Sequence, residues 1–437
     1  MHTTRNAHQC GGDRSNSSSS DSPHLHAFQS SLLVLGAALV VAGCHRTPST
    51  RALQEHATRA GVIPSRDSAV QVAIRRVLDA ARADSAFPGA IAVVGTRDGI
   101  IAQYAVGQLD WAPSPAPDEH TLWDIASLSK VLGVTSAMMQ LVEQHRVDLD
   151  APLQRYIPSW TGPNKERVTV RHLLTHTSGL PSFKAYDEIT HDPDSLAKLM
   201  FATPLDSLPG RIMVYSDIGA YMLGRLVQQV SGQTLDAYLH DHVFAPLKMD
   251  ETMYRPPASL LPRIAPTEID PRRGGLVRGK VHDERAYYLG GVSAHAGVFS
   301  SAHDMARFAR MYLNNGTLDG VRVFQPATIA LFTAYSDSGF SNRGIGWQKP
   351  DLPGMRYTNP SAAWAGQFMS HAAFGHTGFT GTSIAMDPVN NVFVILLSNR
   401  VNPTRNNTKI TAVRRQLADA VMTALRAAGP NPPRQSP

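Results

Sequence analysis

A chain of 437 residues, 43% of them hydrophobic and 17% charged, can bury a large core, which excludes an intrinsically disordered protein. The formal charge of +6 is modest and spread along the chain. With no dense Lys/Arg block interleaved with aromatics, a nucleic-acid partner is disfavoured.

The first thirty residues are polar and serine-rich, and "SLLVLGAALVVAGC" follows. Its apolar part, Leu32 to Gly43, is too short to span a bilayer, so residues 1–43 read as a signal peptide with that segment as its core. The ending Val41-Ala42-Gly43-Cys44 resembles the bacterial lipobox, in which small residues precede a cysteine that receives lipid. Cys44 is then the expected anchor to a membrane, and the alternative is a cysteine left behind by a hydrophobic segment. The other cysteine, Cys10, falls in the piece that is removed, so no disulfide framework is expected. The expected location is extracytoplasmic, in a bacterial cell envelope. Residues 44–66 mix charges with Pro and Thr as a tether would, and a domain is predicted over 67–428. The proline-rich tail 429–437 reads as disordered.

Within the domain, "SAVQVAIRRVLDAARAD" has helical spacing, and two strands flank the turn Thr96-Arg97-Asp98-Gly99. A mostly enclosed helix is predicted to start near Ser127, from Leu128, Val131, Leu132, Met138, Met139 and Val142. Patterns stay mainly helical to about residue 250. Near the end "TGFTGTSIAMDPVNNVFVILLSNR" reads as a hairpin and "KITAVRRQLADAVMTALRAAG" as a closing helix. Helix and strands at both ends imply an α+β fold in which the termini join one antiparallel sheet. The helical region is then an insertion, with a cleft between the two.

Lys130 lies three residues after Ser127, so on one helical face its ammonium reaches the serine hydroxyl. Burial would lower the lysine's pKa and let it accept the hydroxyl proton; the alternative is a lysine that snorkels to solvent. Three further stretches accompany this pair: "RHLLTHTSGLPS" at 171–182, "YSDIGAYMLGRLVQQVSG" at 215–232 and "FGHTGFTGTS" at 374–383. Together they resemble the serine β-lactamase and penicillin-binding hydrolases, in the branch holding class C β-lactamases, serine esterases and D,D-carboxypeptidases. The resemblance runs in order from about residue 68 to 428 and implies a β-lactamase/transpeptidase-like fold. It also implies that Ser127 attacks a carbonyl to form an acyl-enzyme, with Lys130 and Tyr215 sharing proton transfer. Thr377 and Gly378 would border the substrate, and the N–H of Phe379 would join that of Ser127 as an oxyanion hole. No cofactor is implied.

Two positions depart from the family pattern. Where Tyr-x-Asn is usual, Asp217 replaces the amide, and its charge is expected to pair with Lys130, hold it protonated and shift the base role towards Tyr215. Where β-lactamases commonly carry Lys-Thr-Gly, this chain has His376-Thr377-Gly378. Histidine titrates near pH ~6.5, so binding of a substrate carboxylate is expected to depend on pH, and efficient β-lactamase action is disfavoured. Tyr215 has a bland alternative as a packed ring ahead of a helix capped by Ser216 or Asp217. His172 and His176 stand four apart but lack a matching third ligand, so no metal site is expected. His282, Asp283 and Glu284 read as a solvated acidic turn near the cleft. The expected function is a serine hydrolase acting as a peptidase or esterase on peptidoglycan-derived or small ester substrates, with β-lactamase or non-catalytic peptidoglycan binding as alternatives.

Overall fold

The computed structural model describes residues 66–358 and 363–429. The predicted leader, Cys44 and the tail beyond Gly429 lie outside the described residues. So does the predicted tether except Arg66, which is instead the first residue of a helix. In chain order the helices that matter here are α1 (Arg66–Ala83), α2 (Ser136–Glu143), α3 (Val170–Leu174), α4 (Asp217–Ser231), α5 (Ala302–Leu313) and α6 (Ile410–Ala427). The main strands are β1 (Gly89–Thr96), β2 (Gly99–Gly107), β3 (Phe374–Thr377), β4 (Ser383–Asp387) and β5 (Val392–Ser398).

These strands form one antiparallel sheet in the order β3-β4-β5-β1-β2, so the first hairpin and the last are joined by β1 against β5. Alternation along β1 sorts its side chains between two cores. Ala90, Ala92 and Val94 face α1 and α6, whose Val70, Ile74, Leu78, Val413, Leu417 and Val421 recur at helical spacing. Ile91 and Val93 face the opposite way, into a larger core with α5 residues Met305, Phe308 and Tyr312 and with the buried face of α2. The sheet is thus covered by helices on both faces, each face burying its own apolar core.

A small second sheet pairs Val298–Ser300 with both Trp123–Asp124 and Met253–Tyr254. It carries the chain into Ser127. The helix expected to start near Ser127 does start there, at Leu128 just after a turn at Ala126 and Ser127, but Lys130–Thr135 winds as a buried π-helical segment before α2 continues it. The stretch "RHLLTHTSGL" is helical only at its start, in the five-residue α3. Gly179, in the loop beyond it, takes the left-handed conformation at φ +82°.

Candidate active site

The turn that presents Ser127 is held from several directions. Ala126 has φ +47°, unusual for a residue with a Cβ, and its N–H donates to Asp124 Oδ1 at 2.8 Å. The other oxygen of Asp124 accepts from the His282 N–H at 2.6 Å. Thr380 Oγ1 donates to the Asp124 carbonyl at 2.6 Å and Thr382 Oγ1 to that of Ile125 at 3.0 Å, so the loop after β3 is stitched to the segment before the serine. A local outlier persists only where its surroundings over-determine it, as they do here.

Lys130 Nζ lies 3.1 Å from Ser127 Oγ, 2.9 Å from the His295 carbonyl and 2.8 Å from Asp217 Oδ1. Burial alone would discharge this lysine. The Asp217 carboxylate, with Tyr215, more than offsets it and leaves the lysine pKa above its ordinary value. Asp217 works against burial in the same way, its own pKa lowered by Lys130, His295 and Arg285. Its Oδ2 accepts from Arg285 at 3.0 Å, Arg285 also donates to Asp283 at 2.9 Å, and Asp283 meets His295 Nε2 at 2.9 Å. Because the His295 carbonyl accepts from Lys130, these five residues close a ring. The expected Asp217–Lys130 contact is therefore present, with a second cation attached.

Tyr215 stands beside this ring. Its aromatic face has Lys130 Nζ 4.8 Å and the Arg343 guanidinium carbon 5.2 Å from the centroid, with the His176 and His376 rings 4.6 Å and 5.8 Å away. The Tyr215 hydroxyl is buried and has no hydrogen-bond partner among the described residues. Capping and placement coexist: Ser216 Oγ accepts from the Gly219 N–H to start α4, while the Ser216 N–H donates to His176 Nδ1. His172 caps α3, with Nδ1 accepting from the Thr169 N–H.

His376 is only 1% exposed, and its Nδ1 lies 2.9 Å from the Thr377 carbonyl, so Nδ1 carries the proton. Burial, then the charges of Arg343 and Lys130, hold its pKa well below the ordinary imidazole value. The pH dependence expected near 6.5 is thereby corrected, since His376 stays neutral through that range. Thr377 ends β3. A Cβ at Gly378 would overlap the Ile125 carbonyl oxygen and Thr382 Oγ1, so only glycine fits there. The buried Arg414 donates to the carbonyls of Gly378 at 2.6 Å and Thr382 at 2.8 Å, and Arg400 donates to that of Phe379 at 2.7 Å. With its carbonyls tied back, this loop and Ser127 border a cleft of about 490 Å³, also lined by Tyr215, Gln348, His376 and Thr377.

All eight positions singled out in the domain, Ser127, Lys130, Tyr215, Asp217, His376, Thr377, Gly378 and Phe379, line this cleft or a second recess beside Ser127, or contact residues that do. The acidic stretch read as a solvated turn is corrected. His282 is buried against Glu268, and Asp283 caps a short helix at Glu284–Tyr288 while facing the second recess. Arg285, His295 and Arg343 were not singled out by the sequence. An acid in the usual place of an amide is a signal that a second cation is near, which points to Arg285; no local signal marks Arg343.

A family model described as Beta-lactamase matches residues 74–419. A protein of Salmonella schwarzengrund (strain CVM19633), named "Putative D-alanyl-D-alanine carboxypeptidase", is 31% identical over 320 residues, covering 67% of this chain and 72% of its own. Among solved structures, a penicillin-binding protein homologue from Caulobacter crescentus has a TM-score of 0.63 at 21% identity, covering 83% of this chain and 99% of that one. EstCE1, titled a hydrolase with promiscuous acyltransferase activity, has a TM-score of 0.65 at 21% identity, covering 82% and 99%. The two structures share the fold, and the family match spans both chain ends of the sheet together with every motif around Ser127. The chain belongs to the β-lactamase family of serine hydrolases.

Proposed function

We propose that Ser127 is the nucleophile of a D,D-carboxypeptidase-like hydrolase that releases a terminal residue from a peptidoglycan-derived peptide through an acyl-enzyme. The observation that carries this reading is the contact of Lys130 Nζ with Ser127 Oγ at 3.1 Å beside the unpartnered Tyr215 hydroxyl. A lysine kept charged by Asp217 donates to Oγ and cannot take its proton, so the base role falls to Tyr215. The Ser127 Oγ–carbonyl bond forms as Tyr215 receives the proton. Collapse of the tetrahedral intermediate returns that proton to the leaving amine, and water repeats the sequence to release the product. The N–H groups of Ser127 and Phe379 are the oxyanion donors in this scheme. The names of the Salmonella relatives favour the peptide substrate.

A second reading, an esterase, is favoured by His376. A neutral imidazole where β-lactamases commonly carry lysine offers a substrate carboxylate no charge, and an ester needs none. For either substrate we place the enzyme outside the cytoplasm, held to a membrane through lipid on Cys44. Among the described residues no helix is long and apolar enough to cross a membrane. Incubation with a penicillin, followed by intact mass and the fate of the drug, tests the first reading, with Ser127→Ala as control. A lasting adduct on Ser127 supports a carboxypeptidase. Rapid drug turnover makes the protein a β-lactamase, and an unmodified protein that cleaves p-nitrophenyl esters makes it an esterase.

A further inference from the structure

Arg343 is fully buried, and none of its three guanidinium nitrogens has a hydrogen-bond partner among the described residues. No carboxylate among those residues pairs with it. A buried cation without an anion is strongly disfavoured, and a guanidinium does not escape by losing its proton near neutral pH. Burial lowers its pKa only to about 10. The charge persists, and something must answer it.

The neighbours narrow the choice to one group. Around Tyr215 stand Lys130 from the π-helical segment, His176 from the loop after α3, Asp217 at the start of α4, His376 from β3 and Arg343 from the segment beside β3. Both histidines are kept neutral by burial and by these cations. Asp217 commits one oxygen to Lys130 and the other to Arg285. Lys130, Arg285, Asp217 and Asp283 therefore balance, and the Arg343 charge is left over. The tyrosine hydroxyl, buried and unpartnered, is the remaining group able to become an anion there.

We propose that Arg343 is a positioning residue whose charge stabilises the Tyr215 phenolate, supplying from the neighbouring segment the positive charge that His376 does not carry. The placement suits this task. The Gln348 N–H donates to the Gly375 carbonyl and the Gly375 N–H to that of Gln348, both at 3.0 Å, so the segment carrying Arg343 runs alongside the strand carrying His376. Arg343 pairs with Gln348 in a bridge of that segment, which ties its backbone to the same edge. The cation beside Tyr215 thus comes from the segment alongside β3 and not from β3 itself. No new reactant is involved: Tyr215 as phenolate takes the Ser127 proton, becomes neutral during attack and is re-formed when the proton passes to the leaving group.

This inference rests on the proposed role of Ser127 and Tyr215. Its test is kcat/KM for a p-nitrophenyl ester from pH 5 to 10 in wild type, Arg343→Met, Arg343→Lys and Ser127→Ala. Methionine keeps bulk without charge, and lysine keeps charge without the planar fork. The expected result is a 10- to 100-fold loss for Arg343→Met at pH 7, with the acidic limb of its profile moved to higher pH by one unit or more and activity recovering above it. Arg343→Lys should restore most of the rate and the position of the limb. A methionine profile that is lower but keeps the wild-type limb, or a lysine variant as poor as methionine at an unchanged thermal midpoint, overturns the inference. Wild-type activity that survives Ser127→Ala overturns the underlying reading instead, so the two failures are distinguishable.

Discussion

Replacing Asp217 by asparagine removes one charge from the centre of the closed ring and keeps the side chain's shape. At 2.8 Å and an effective dielectric of about 20, the Lys130–Asp217 attraction is about 6 kcal/mol, and breaking one partner of a buried pair typically costs about 3–5 kcal/mol. Lys130 keeps the Ser127 hydroxyl and the His295 carbonyl as acceptors and can shed its proton, so we expect a loss near the lower end, about 3 kcal/mol at pH 6. The sign of the pH dependence separates this account from a general packing defect. In the wild type the lysine's pKa is raised on folding, so its contribution is complete below the unfolded value and is lost only as pH rises through the folded one. The aspartate's is lowered, so its contribution is complete above its unfolded value and is lost as pH falls through the folded one. Wild-type stability from this pair is therefore flat between about pH 5 and 9. In Asp217→Asn, burial meets no carboxylate, the lysine's folded pKa drops below its unfolded one, and stability rises with pH. Urea unfolding at pH 6 and pH 9 measures it: the deficit should shrink clearly at pH 9. An equal deficit at both values would refute the reasoning.

Ser127→Ala should lower hydrolysis by at least about 10³-fold, while removal of one acceptor from Lys130 changes stability by only about 1 kcal/mol, read from kinetics and urea unfolding of the same sample. Gly378→Ala should cost about 1–3 kcal/mol and more than tenfold in kcat, because its Cβ must push the loop after β3 off the Ile125 carbonyl; unchanged kcat would show that the stitch is not needed. Exhaustive chelation should leave hydrolysis unchanged. His120, Glu251 and His303 offer ligand atoms within 4.8 Å of one another, but Glu251 is already bonded to Arg263 and His120, and none of the three lines the cleft.

The parts of the fold legible in the sequence are those whose signal is local. The turn between β1 and β2, the last hairpin and the two terminal helices all follow from period and turn chemistry, and their union in one sheet follows from the pattern at the two ends. The π-helical segment was not legible because it is buried on every side, and uniform burial carries no period to distinguish its winding from an α-helix. The motif residues around Ser127 were legible because each belongs to a short pattern. Their charge balance was not. Arg285 lies 68 positions from the aspartate it neutralises, and Arg343 sits in "SNRGIGW", where a cation flanked by small polar residues reads as exposed. Long-range contacts decide both, an ion pair for Arg285 and packing against Tyr215 for Arg343, and a single sequence does not display them.

The stitches that hold the Ser127 turn span more than half of the chain: Thr380 and Thr382 bind carbonyls 256 and 257 positions earlier, just ahead of Ser127. Strand β5, which completes the sheet against β1, comes later still. During synthesis the serine turn therefore exists for hundreds of residues without the loop that faces it, and loop closure over such separations is slow. A chain truncated before Phe374 retains Ser127, Lys130 and Tyr215 but lacks the wall of the cleft. That wall arrives only with about the last seventh of the 437-residue chain, so an unfinished or proteolytically shortened molecule carries an open, incomplete cleft.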